Sequence, residues 1–123
     1  MRLVKTDFDE VLLLEPIIHK DNRGFFFESF NKRQFESIGI SYDFVQDNHS
    51  TSLKSGTVRG LHYQSTPMET TKMLRVTKGA ILEVVADIRI GSPNYGKWIS
   101  MIISEENKIQ VKKFDIVSML LIL

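Results

Sequence analysis

Residues 72–89 read KMLRVTKGAILEVVADIR, and the pattern on either side of Lys78-Gly79 decides the fold. Before the glycine, Lys72, Leu74 and Val76 fall on one side of an extended strand. After it, Leu82, Val84, Ala86 and Ile88 form an apolar face opposite Ile81, Glu83, Val85, Asp87 and Arg89. Lys78-Gly79 is a tight turn, so two strands run through it. Downstream, residues 90–97 contain GSPNYG and read as a loop, residues 98–104 as a strand, Ser104-Glu105-Glu106-Asn107 as a turn, and residues 109–111 as the start of another strand. Short strands separated by turn signals predict an antiparallel sandwich or barrel.

Upstream lies the densest polar stretch, FVQDNHSTSLKSGTVRGLHYQ at residues 44–64. Alternation over residues 44–50 predicts a strand that carries Gln46 and Asn48 on one face and Asp47 and His49 on the other. Residues 51–56 make a turn, and residues 57–64 a second strand. There Arg59 and His62 are three apart, which sends them to opposite sides of a regular strand. Gly60 lies between them, so a bulge is expected that turns both side chains to one side.

Nearer the amino end, residues 11–18 form an apolar run with Pro16, read as an edge strand because proline lacks a ladder donor. His19 is expected to be a solvated loop residue in a turn leading to Arg23-Gly24. Residues 25–30 alternate, with Phe25 and Phe27 on one face and Phe26, Glu28 and Phe30 on the other. Residues 31–38 predict the chain's helix: Asn31 caps it, Gln34 stands three later, Phe35 and Ile38 share a face, and Gly39 stops it.

The 123 residues suit one domain, expected to span 1–123. A hydrophobic share of 42% with 25% charged residues is ordinary for a soluble globular protein. A net charge of +1 gives no global field for nucleic acid or a membrane surface, so any anion must be held by local arginine and lysine. The absence of cysteine excludes disulfides and thiol catalysis. MRLVKTDFDE carries acids early and no long apolar stretch, which argues against a signal peptide and for the cytoplasm.

DNRGFFFE, QDNHS, RGLHYQ, TKMLRVTKGAILEVVADIR, GSPNYGKW and SEEN occur in this order from about Leu14 to Gln110. Together they resemble the dTDP-4-dehydrorhamnose 3,5-epimerase family of nucleotide-sugar cupins. The resemblance implies an all-β, cupin-like antiparallel jelly roll with one short helix. It also implies a homodimer that exchanges amino-terminal strands, a dTDP-sugar as substrate, and no cofactor or metal. Carried over by position, His62 is the base and Lys72 stands by the C4 oxygen. Arg23, Phe26 and Glu28 meet the nucleotide from the neighbouring subunit, with Phe26 on the thymine ring. Gln46, Asp47, Asn48 and Arg59 line the substrate pocket. His49, facing away from Gln46 and Asn48 by parity, is read as structural or as a group that supports the pocket from behind.

That chemistry is coherent. A C4 ketone acidifies the C–H bonds at C3 and C5, because either carbanion delocalises onto the ketone oxygen. An epimerase then needs a base, a donor for the oxyanion and an acid on the other face. Imidazole titrates in the right range for the base, and arginine's fork suits a diphosphate.

After Gln110 the resemblance ends, and the sequence runs VKKFDIVSMLLIL. By spacing, Met119 takes the place of a second pocket histidine, and the family's acid tyrosine and base-orienting carboxylate fall past Leu123. The family's carboxyl-terminal strands are therefore expected to be missing, leaving an exposed apolar face and unpaired edges. A binding module without turnover is the first alternative. A metal-dependent cupin would need clustered histidines with an acid, and His19, His49 and His62 form no such pair. A nucleotide-sugar ketoisomerase of the same superfold would arrange its histidine differently.

Overall fold

The computed structural model describes residues 1–65, 67–114 and 117–123, with Val117 described by its backbone alone. Its strands are β1 (Arg2–Lys5), β2 (Val11–Glu15), β3 (His19–Asp21), β4 (Gly24–Phe26), β5 (Val58–His62), β6 (Thr71–Arg75), β7 (Ala80–Ala86), β8 (Trp98–Ser104), β9 (Gln110–Phe114) and β10 (Val117–Ile122), with helix α1 (Lys32–Ser37) after β4. Two four-stranded antiparallel sheets, ordered β1-β2-β9-β6 and β5-β10-β7-β8, face each other, and β3-β4 forms a separate hairpin. Val11 and Val111 of the first sheet pack on Ile81, Val85 and Ile103 of the second, with Phe8 closing one end.

This interior takes the mixed face of β7. Ile81, Glu83 and Val85 are buried between the sheets, while Leu82, Val84 and Ala86 are half-buried on the outside. The outer face of the first sheet is covered by the chain itself: Leu14 is buried with Phe35 and Ile40, and Leu3, Leu12, Ile38, Phe44 and Met73 pack around them. Helix α1 begins as expected, its Asn31 side chain accepting the Gln34 N–H at 3.2 Å. It is too short to be stable alone, and Phe35 docks it on the sheet.

Several readings change. Strand β2 is not at an edge; it pairs with β1 and β9, because Pro16 falls one residue past the ladder and removes no donor from it. The edge belongs to β1, which the alternation had not marked. His19 is exposed but lies in a strand of the hairpin, and of the expected run 25–30 only residues 25 and 26 are paired. Residues 44–50 form no strand; they are mostly exposed with no partner ladder, and alternation alone does not supply one. The carboxyl-terminal stretch is not a gap in the sheets. β9 runs between β2 and β6, and β10 between β5 and β7, because alternating residues of VKKF and VSMLLI suit central strands. Ser65-Thr66-Pro67-Met68 reads from the sequence as a loop, and Thr66 within it lies outside the described residues.

Candidate active site

Strand β5 carries the expected bulge. His62 lies opposite Ser118 and Arg59 opposite Leu120, so three steps along β5 match two along β10. Partners across an antiparallel ladder share a face, and Ser118 and Leu120 share one by parity. Arg59 and His62 therefore face the same way. Leu120 packs on the buried core, which makes that side the interior of the sandwich. Gly60 permits the bulge: its φ is +126°, and an added Cβ would stand 2.8 Å from the Ser118 carbonyl oxygen and 2.9 Å from Met119 Cα.

Lys72 reaches the same interior from the opposite sheet. It pairs across β6 and β9 with Lys113, whose ammonium bonds Glu83 of β7 and donates to Ser118 Oγ at 2.8 Å. Arg59 donates from Nε to Ser52 Oγ at 3.0 Å and from Nη2 to the Thr51 carbonyl at 3.2 Å, which ties β5 to the preceding segment. On that segment Gln46 Nε2 donates to Asn48 Oδ1 at 3.1 Å, so the two amides do face the same way, while Asp47 and His49 are exposed.

The hairpin holds the other predicted residues. Asp21 accepts from Arg23 N, Nε and Nη2 at 2.9, 3.0 and 2.6 Å, and the guanidinium beside it holds the Asp21 carboxyl below the usual range. Arg23, Phe25 and Phe26 line a hollow of about 420 Å³. Phe26 is 71% exposed, and Glu28 projects into solvent beyond the hairpin. The structure thus turns His62, Arg59 and Lys72, all three exposed, toward the space between the two sheets and leaves Arg23, Phe26 and Glu28 on a separate exposed arm. Gln46, Asp47 and Asn48 lie on the segment between.

Two charged clusters were not anticipated. Burial pushes the Glu83 carboxyl up against the pull of Lys113, and burial pushes the Lys113 ammonium down against the pull of Glu83. Near the far end of β7, buried Asp87 accepts from Arg89 Nε and Nη2 at 3.0 and 2.7 Å and from Ser92 Oγ at 2.6 Å, and Arg89 also pairs with Glu10. The Arg89 hydrogen bond holds the Asp87 carboxyl well below its usual range. Both acids were visible in the sequence as the polar members of the Ile81 and Val85 face. Nothing in the sequence pointed to Lys113. Among the described residues, no three histidine, aspartate or glutamate side chains gather as a metal site, and no helix is long and apolar enough to cross a membrane.

Two facing antiparallel sheets with one short helix and charged side chains turned into the interior define a cupin-like jelly roll. The family model for dTDP-4-dehydrorhamnose 3,5-epimerase matches residues 5–112. The epimerase of Shigella flexneri is 47% identical over 112 residues, 90% of this chain and 61% of that protein, and the Pseudomonas aeruginosa epimerase is 45% identical over the same length. The crystal structure of the Bacillus anthracis epimerase, with TDP and pyrophosphate bound, superimposes with a TM-score of 0.93 at 39% identity, covering 99% of this chain and 70% of that one. The Legionella pneumophila epimerase in complex with dTDP-4-keto-L-rhamnose gives 0.90 at 41% identity, covering 99% and 65%. The chain belongs to the dTDP-4-dehydrorhamnose 3,5-epimerase family, and it spans about three-fifths of the length of the curated relatives it matches.

Proposed function

We propose that the chain, acting as a single cytoplasmic domain, binds dTDP-4-dehydro-6-deoxyglucose and inverts C3 and C5 to give dTDP-4-dehydrorhamnose, a precursor for polysaccharide synthesis. The observation that carries this reading is the bulge at Gly60, which turns Arg59 and His62 to one side of β5 and into the interior that Lys72 enters from the other sheet. His62 removes the proton beside the ketone. Lys72 stabilises the developing oxyanion as a cation placed where negative charge grows. Arg59 contacts the diphosphate or sugar, with Gln46, Asp47 and Asn48 supporting the pocket.

The arm completes the site in a second copy. A two-stranded hairpin is marginal by itself, and this one presents Phe25 and Phe26 to solvent together with Arg23. Exchanged onto a partner, Phe26 stacks on the thymine, Arg23 contacts phosphate and Glu28 makes a polar contact. The bare outer face of the second sheet, with Trp98 65% and Ile102 56% exposed, supports a homodimer by giving the second copy an apolar surface to cover.

One observation favours binding without turnover as the second reading. Met119 lies opposite Val84 and so on the outer side of β10, bringing no titratable group to the interior at that step of the strand. Deuterium exchange decides between the two. In heavy water with dTDP-4-dehydro-6-deoxyglucose, uptake at C3 and C5 that vanishes in His62→Asn is the expected result. Nucleotide binding without uptake would replace the epimerase reading with the binding one.

A further inference from the structure

Three strands bring an unassigned set of polar groups up to His62. Glu83 is fully buried, and its Oε2 has no hydrogen-bond partner among the described residues. Its Oε1 is taken by Lys113, itself only 7% exposed, and Lys113 donates in turn to Ser118 Oγ. Ser118 stands directly across the β5–β10 ladder from His62, on the same face. Side chains opposite one another across a ladder are close enough to bond.

A hydroxyl accepts two hydrogen bonds and donates one. Ser118 Oγ already accepts from Lys113, which leaves one lone pair and its own O–H. The orphan Glu83 oxygen needs a donor, and leaving a buried carboxylate oxygen without one is costly. Directly across the ladder from Ser118 stands His62, an exposed imidazole with an N–H to give. Assigning the Ser118 O–H to Glu83 and a His62 ring N–H to Ser118 satisfies all of these groups at once.

We propose that Ser118, held by Glu83 and Lys113, is the positioning residue for His62: it accepts one ring N–H and so fixes the tautomer whose other nitrogen carries a free lone pair. This rests on His62 being the base. The effect on the reaction is indirect, because Ser118 acts only through the imidazole. A base held in one tautomer and one orientation spends no turnover time in the wrong state.

The test is the ¹⁵N spectrum of the histidine-labelled 123-residue chain at alkaline pH, with His19→Gln and His49→Gln used to assign the three rings. A single tautomer for His62 in the native chain, mixed in Ser118→Ala and restored in Ser118→Thr, is the expected result. In the exchange assay Ser118→Ala should lower kcat by roughly 10- to 100-fold with KM unchanged. Mixed tautomers in the native chain, or a single tautomer that survives Ser118→Ala, overturns the proposal. Because the spectrum needs no substrate, failure of the epimerase reading shows separately, as an ordered His62 with no deuterium uptake.

Discussion

The two sheets meet in one interior, yet their outer faces differ. The face of β1-β2-β9-β6 is closed by the chain's own helix and the residues after it, with Phe35, Ile40 and Leu14 all buried. The face of β5-β10-β7-β8 carries Val58, Leu82, Val84, Trp98, Ile102 and Leu121 with no layer of the described residues over it. Both sheets carry apolar residues on both sides, as strands meant to be covered twice do, although their shared interior also holds Glu83 and Lys113. One sheet has found its second cover locally, and in the proposed dimer the other takes it from a second copy. The proposed dimer follows from that asymmetry, and so does the division of the site between a rigid ladder and an exposed arm.

Breaking the closed side should have the largest effect on the protomer. Phe35→Ala removes a ring that is 2% exposed and lies edge-on to Phe30 at 5.0 Å, so the loss should be about 3–5 kcal/mol, read from urea unfolding. Asp87→Asn comes next. It removes the charge that Arg89 and Ser92 surround at the end of β7, and should cost roughly 3 kcal/mol. The sign with pH follows from the depressed carboxyl. Its folded value lies below its unfolded value, so its contribution is present above about pH 4 and is lost as pH falls below that. The native chain should lose stability on acidification more steeply than Asp87→Asn, a difference visible in melting temperature across pH 3–6.

Much of this architecture was legible because period-two alternation is local. Residues 72–89 announced a hairpin, and the same rule placed the bulge at Gly60, since two residues three apart share a face only across one. What escaped depended on partners. Residues 44–50 alternate as well as any strand in the chain but have no ladder to join, and β2 passed for an edge because Pro16 was counted inside it. The polar members of the β7 face, Glu83 and Asp87, could be located by parity. Arg89 stood two residues from Asp87 on the same face, but the Lys113 counterion of Glu83 could not be placed, because it arrives only through folding that brings distant strands together. For the same reason the family resemblance named His62, Lys72 and Arg59 while leaving Ser118 unseen.

At the junction between the ladder and the site, Gly60→Ala should cost roughly 2 kcal/mol, since its Cβ would press on the Ser118 carbonyl and its backbone is in a region that L side chains avoid. The same substitution should blunt activity more than unfolding implies, because relief of the clash would turn either Arg59 or His62 out of the interior. Equal losses in stability and in deuterium uptake per folded molecule would mean that the bulge serves packing alone.

The smallest effect on the protomer should come from the open side, and it gives the sharpest test of the comparison. Ile102 is 56% exposed and lies opposite Leu82 on β8, the edge strand of the bare face. A lysine there meets solvent in an isolated chain and should change its stability by no more than about 0.5 kcal/mol. In a dimer that covers the face, two lysines are buried against apolar surface without counterions, which strongly disfavours assembly. Ile102→Lys should therefore sediment as a monomer with the native chain's circular dichroism, and should lose dTDP affinity with it, because the arm bearing Arg23 and Phe26 would have no partner to enter. A monomeric Ile102→Lys that binds dTDP as tightly as the native chain would place the arm on its own subunit. A dimer undisturbed by the substitution would leave the second sheet's outer face without its proposed cover, and the asymmetry between the two sheets would then need a different occupant.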